Sequence, residues 1–283
     1  MTPQPADDTP SEPTFEEGRT IDLSAAVPGT PEQVWEAIGS GPGISSWFVP
    51  TEVEGEHITF DFGPGLGTDT GTITVSQAPS RFRYEAPQRD RVLAYEFLVE
   101  ANDGGSCTVR LVNSGFGTGE DWDDQYVGMT KGWTLFLVLL RVYLTHFAGE
   151  TASSIGPNGQ LRDGAATSAA EGWRSLREAL AIPDDLAEGD RVTIGTVDDG
   201  PYAAGRIEHL LDEWLVLVTD EPSRGYACVG AEAFDGGVMV SAYLYLFGPD
   251  AEARRDELAP RWYGWMADRF ALLEGDPHEP SEV

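Results

Sequence analysis

Between Arg19 and Leu111 the chain alternates apolar and polar residues in short runs, the period-2 pattern of half-buried strands. Ile21, Leu23 and Ala25 share one face of a first run. Ile58, Phe60 and Phe62 share one face of "HITFDF", and Ile73 with Val75 one face of "GTITVSQ". Phe82 and Tyr84 alternate with Arg81 and Arg83. Leu93, Tyr95, Phe97 and Val99 alternate in the next run, then Cys107, Val109 and Leu111. The links carry Gly, Pro, Asp or Asn, and "NDGG" at 102–105 is the clearest turn, so the pattern predicts an antiparallel meander with one apolar face. The period then changes. From Asp121, Met129, Trp133, Phe136, Leu137, Leu140, Leu144 and Phe147 recur at three and four residues, which predicts a long helix. Leu135, Val138, Leu139 and Val142 form a second apolar stripe on its other side, so something besides the meander must cover it.

Ahead of the meander stands "TPEQVWEAIGSGPGISSWF", residues 30–48. Thr30 as N-cap, Pro31 at the first helical position and Gln33 as the capping-box partner predict a helix start. Val34, Trp35 and Ile38 form its apolar stripe. Gly39 and the Gly41-Pro42-Gly43 run predict a break, after which "ISSWF" makes a short second helix. Trp35 is expected in the core and Trp47–Phe48 at a pocket rim.

Residues 151–167 are polar and Gly-rich and read as a linker. Ser168 and Glu171 open a further helix that Pro183 ends. The rest repeats the earlier order of pieces: short strand, Gly-rich turn, Gly-x-Ile (Gly71–Ile73, then Gly205–Ile207), hairpin ending in Pro, last strand, closing helix. The chain therefore reads as a tandem, with domains at 19–150 and 168–274 and the second copy shorter at its front. In that copy the closing helix is expected to lie directly on Ile207, Leu215, Leu217, Tyr243 and Tyr245.

Charge narrows the range of partners. Acids outnumber bases 48 to 18, giving a formal −30, so nucleic acid and anionic membrane surfaces are repelled. Lys131 is the only lysine. Residues 1–18 and 275–283 are acidic, Pro-containing segments expected to be disordered. The first has no basic stretch or apolar core of the kind a secretory signal needs, and Cys107 and Cys228 form no disulfide framework, so a cytoplasmic location is expected.

Strand, broken helix pair, antiparallel meander and long closing helix is the order of the helix-grip fold. The opening "VPGTPEQVWEAIGSGPGISSWF" resembles that of the SRPBCC, or START-like, superfamily. Pro31, Glu32, Val34, Trp35, Ala37, Gly132 and Trp133 resemble the branch named for the activator of heat-shock protein 90 ATPase. The resemblance covers 19–149 well and 168–274 weakly. It implies an α+β helix-grip architecture, likewise duplicated, with a pocket between the sheet and the long helix. The family holds lipid carriers, cyclases and chaperone activators, so it implies a fold more than an activity.

Chemistry-bearing residues are sparse. His57, His146, His209 and His278 are scattered without metal-ligand spacing, so neither metal nor cofactor is expected. "GPGLG" at 63–67 lacks the Lys and helix of a phosphate loop, and no Gly-x-Ser-x-Gly elbow exists. Asp121, Asp123 and Asp124 read as helix-start charges. Strand parity places Arg83, Glu96 and Arg110 on the outer face. What remains is apolar: Trp47, Phe60, Phe62, Ile73, Val75, Tyr84, Tyr95, Phe97, Val109, Trp133, Phe136, Leu137 and Leu140 are the candidate pocket residues. Three functions stay open: non-catalytic binding of a small apolar molecule as carrier, sensor or sequestering protein; a protein-interaction module of the chaperone-partner type; and a cyclase-like enzyme. No catalytic residue is assigned.

Overall fold

A computed structural model describes residues 18–161, 168–196, 200–234 and 237–272. Both acidic tails, apart from residue 18, and the last part of the expected linker, 162–167, lie outside the described residues.

The first half is a seven-stranded antiparallel sheet, sheet A, in the order β1-β7-β6-β5-β4-β3-β2. Its strands are β1 (Arg19–Pro28), β2 (Thr51–Glu54), β3 (His57–Asp61), β4 (Thr68–Gln77), β5 (Arg81–Gln88), β6 (Arg91–Asn102) and β7 (Ser106–Phe116). Helices α1 (Pro31–Gly39) and α2 (Gly41–Ser45) follow β1, and α3 (Glu120–His146) follows β7. The capping box forms: Thr30 Oγ1 accepts from Gln33 N, and Thr30 N donates to Gln33 Oε1 at 2.9 Å. The break falls at Ser40 rather than within Gly-Pro-Gly. Ser40 Oγ caps the second helix by accepting from Gly43 N at 3.0 Å, and Pro42 sits in that helix's first turn. Gly43 lets the two helices touch, since a Cβ there would lie 2.0 Å from Glu36 O.

The second half repeats this topology. Sheet B runs β10-β11-β12-β13-β14-β9-β15, with β8 also paired to β14. Its strands are β8 (Ser153–Ile155), β9 (Asn158–Gln160), β10 (Arg191–Gly195), β11 (Tyr202–Leu211), β12 (Trp214–Glu221), β13 (Gly225–Phe234), β14 (Gly237–Leu246) and β15 (Ala271–Leu272). Helix α4 (Ala169–Ala179) replaces the α1–α2 pair, and α5 (Ala251–Arg269) closes the copy. Residues 153–160 were expected in a linker. They instead form β8 and β9 beside β14, the position that β1 holds beside β7. The missing first strand of the second copy is therefore present in two short pieces.

Sheet B is buried on both faces. Leu215, Leu217, Ala227, Val229, Val240 and Leu244 face a core with Trp173 and Leu176 of α4 and Leu258, Trp262 and Met266 of α5. Trp214, Val216, Tyr226, Cys228, Tyr245 and Phe247 belong to the core of the first half. Tyr243 and Tyr245 thus lie on the face opposite Leu215 and Leu217, away from the closing helix, against expectation. Helix α3 is clasped between the sheets. Its Leu135, Leu139, Val142 and Tyr143, and Phe147 that caps its end, are 5% exposed or less. Phe147 stacks on Phe247 at 4.1 Å between centroids, and Tyr143 on the same ring at 6.1 Å. Residues 122–146 are long and apolar enough to cross a membrane, but this apolar surface is used inside the fold. The architecture is α+β: two helix-grip units packed as sheet, helix, sheet and helices.

Candidate functional site

Two places are candidates for a functional site: the interior of the first grip and the seam between the units.

The grip interior is built as strand parity dictates. Phe60, Tyr84, Tyr95, Phe97 and Val109 point from sheet A toward α3 and are each 7% exposed or less. Trp133, Leu137 and Leu140 answer from α3. The rings form one network: Trp133 stacks on Phe48 at 5.4 Å and meets Phe97 at 5.9 Å, while Tyr84 stacks on Tyr95 at 4.7 Å. Phe62 and Phe136 are partly exposed at its border, 5.8 and 4.4 Å from Phe48. Ile73 is partly buried against the same core. Val75 is not. A bulge between Ile73 and Val75 pairs Val75 with Arg83, which turns it to the outer face that Arg83 occupies. On that face Arg81 pairs with Glu96 at 2.6 Å and Arg83 with Glu85 at 2.7 Å.

The interior is filled. A cavity of about 10 Å³ remains, bounded by Ile38, Ile44, Trp47, Phe48, Phe60, Phe82, Tyr84, Phe97 and Trp133. That is room for one water at most, in an apolar lining that offers it few bonds. Ile38, Ile44 and Phe82 are additions to the sequence reading, and Phe48, expected at the rim, is 6% exposed inside the ring network. Phe82 shares the parity of Tyr84, and Ile38 the stripe of Val34, so both were within reach of the pattern. The Tyr84 and Tyr95 hydroxyls have no hydrogen-bond partner among the described residues. Burial holds both phenols neutral, with Asp69 adding to the effect. Among the described residues no cluster of His, Cys, Asp and Glu is arranged to hold a metal ion.

The seam corrects the reading of the opening stretch. Trp47 is 1% exposed, and its indole N–H donates to Ala37 O at 2.8 Å, so it lies inside the core rather than at a rim. Trp35 is the partly exposed one of the two. The carbonyls beside Trp47 anchor the second unit. Tyr226 Oη donates to Ser46 O at 2.9 Å and Tyr245 Oη to Phe48 O at 2.8 Å, and the two rings stack at 4.4 Å. Arg224 adds a two-pronged pair to Glu150 at 2.7 and 2.8 Å and donates to His146 O.

Glu232 on β13 also enters the seam. It shares the parity of Tyr226 and Cys228, and burial pushes its carboxyl up from an ordinary 4.5 to about 7, against the pull of Lys131 on α3. Between those values the native state holds a proton that the unfolded chain has released, so stability falls as pH rises from about 4.5 to 7 and the penalty persists above it. Allowing for the solvent that Glu232 still meets, the effect is about 2 kcal/mol. Glu232→Gln is expected to be more stable than the parent at pH 8 and to differ little at pH 4. Urea unfolding at both values checks this, and an equal offset at both removes Glu232 from the pH dependence.

No family model matches the chain, and no curated protein does. Solved structures resemble it at low identity. The di-domain ARO/CYC BexL from the BE-7585A biosynthetic pathway is 15% identical, spanning 89% of this chain and 98% of its own, with a TM-score of 0.41. DynU16, a protein in the dynemicin biosynthetic locus, is 16% identical over 88% of this chain and 96% of its own, with a TM-score of 0.39. The Aha1 dimer protein of Colwellia psychrerythraea is 17% identical over 44% of this chain and 96% of its own, also at 0.39.

Proposed function

We propose that the protein is a non-catalytic binder whose first grip takes up a small, flat, apolar molecule between sheet A and α3. The supporting observation is the composition of the interior: aromatic rings surround the remaining cavity, and the nearby polar groups are two neutral phenols. Such a lining favours an aromatic or polycyclic guest over a charged one. It lacks the acid and base that a cyclase-like enzyme would bring to its substrate. Entry requires parting the walls, because the closed cavity is far below the roughly 300–1,000 Å³ of an occupied site. The β3–β4 hairpin is the element suited to move. It carries Phe62 over the ring network and turns on Gly63, Gly65 and Gly67, all at positive φ.

The test is titration with N-phenyl-1-naphthylamine, followed by fluorescence. Saturable one-to-one uptake is expected, and Phe60→Ala, which enlarges the cavity, is expected to tighten it several-fold while unfolding stays cooperative. No saturable uptake by either protein overturns the reading.

A further inference from the structure

One inward position of sheet A breaks the apolar pattern around it. Along β7, Cys107, Val109 and Leu111 face the grip and are fully buried, and Asn113 follows on the same face at the same depth. A buried amide destabilises the fold unless its polar atoms are bonded. Asn113 Nδ2 donates to Ala94 O at 3.1 Å, but Oδ1 has no hydrogen-bond partner among the described residues. The partner fixes which atom is free: a carbonyl only accepts, so the amide nitrogen faces Ala94 and the oxygen is left over. The buried amide of the second unit shows the contrast. Asn158 Oδ1 accepts from Ser241 at 2.7 Å and from Tyr243 at 3.0 Å.

Strand register places Asn113 in a row that crosses the grip. It stands opposite Ile21 on β1 and Tyr95 on β6, Tyr95 stands opposite Tyr84 on β5, and Tyr84 opposite Ile73 on β4. Opposed Cβ atoms lie about 5 Å apart, so the row from Tyr84 to Asn113 spans about 10 Å, close to the length of two fused aromatic rings with one substituent. Tyr84 and Trp133 border the closed cavity, and Trp133 lies 6.0 Å from Tyr95. Widening of the cavity along this row leads past Tyr95 to Asn113. Among the described residues no buried side chain of sheet A is charged.

We infer that Asn113 selects the guest: the grip takes a neutral aromatic molecule that carries a hydrogen-bond donor, in its simplest form a phenolic hydroxyl, which donates to Asn113 Oδ1 while the rings lie along Tyr95 and Tyr84. This rests on the reading of the first grip as a binding site and adds the class of guest. A donor is required because Oδ1 only accepts. A charged guest is disfavoured because no buried charge answers it.

Equilibrium dialysis of the full chain at neutral pH, where 2-naphthol is uncharged, tests the inference with three guests. 2-Methoxynaphthalene keeps the oxygen and removes the donor. 2-Methylnaphthalene matches 2-naphthol in size and is more apolar, so a grip that reads hydrophobicity alone binds it tighter. 2-Naphthol is expected to bind at least tenfold tighter than either. Asn113→Leu, close in volume and without an acceptor, is expected to abolish this preference by weakening 2-naphthol alone. If that variant loses its fold, the three guests on the unaltered protein still decide. A smaller preference in the unaltered protein overturns the inference, as does a preference that survives in Asn113→Leu. Uptake of N-phenyl-1-naphthylamine without uptake of 2-naphthol overturns this inference and leaves the binding reading standing, whereas uptake of no guest overturns both.

Discussion

Trp47→Ala is expected to cost about 3–5 kcal/mol, the loss typical of a fully buried aromatic replaced by a methyl group. The ring is 1% exposed, lies 5.9 Å from Phe48 and 6.3 Å from Phe97, and borders the 10 Å³ cavity, so truncation leaves a void that rigid neighbours cannot close. Ala37 O loses its indole donor as well. Trp35→Ala should cost clearly less, because Trp35 is partly exposed and makes one edge-on ring contact, with Phe82 at 6.1 Å. Urea unfolding of the two variants checks the order. Equal losses, or a greater loss at Trp35, would contradict the placement of Trp47 inside the core.

The swap of these two tryptophans shows where sequence reasoning stops. Strand parity located Phe60, Tyr84, Tyr95, Phe97 and Val109 on the inner face, because alternation is local and one face of sheet A meets solvent. The capping box at Thr30 and Gln33 was legible for the same reason. Trp47 is placed by Tyr226 and Tyr245, whose hydroxyls bond its neighbours from 180 and 197 residues away. No local pattern carries that. Tyr243 and Tyr245 could not be assigned a side because both faces of sheet B are buried, and a strand apolar throughout has no parity to read. Strands β8 and β9 are three residues each, with polar sequences "SSI" and "NGQ", and become strands only by pairing with β14. The bulge that turned Val75 outward leaves no mark in an alternating run.

Residues 19–150 expressed alone are expected to be insoluble or far less stable than the full chain, although they hold a complete sheet and closing helix. Helix α3 is apolar on two sides, and the second side is matched to sheet B. Leu135, Leu139 and Val142 are 5% exposed or less in the whole protein, and Val138 is partly buried beside them. Exposing this stripe forfeits on the order of 6–10 kcal/mol of burial, comparable to the whole stability of an ordinary domain. Phe147 would lose its stack on Phe247, and Ser46 O and Phe48 O would lose their tyrosine donors, with only water to replace them. The two units should accordingly unfold together in one transition when the chain is intact. Recasting Leu139, Val142 and Phe147 of the fragment as polar residues is expected to recover solubility, since they serve the seam rather than the first grip. Solubility, oligomeric state and thermal unfolding of the fragment decide the matter. A soluble, monomeric fragment as stable as the full chain would mean that the second apolar stripe of α3 does not hold the units together.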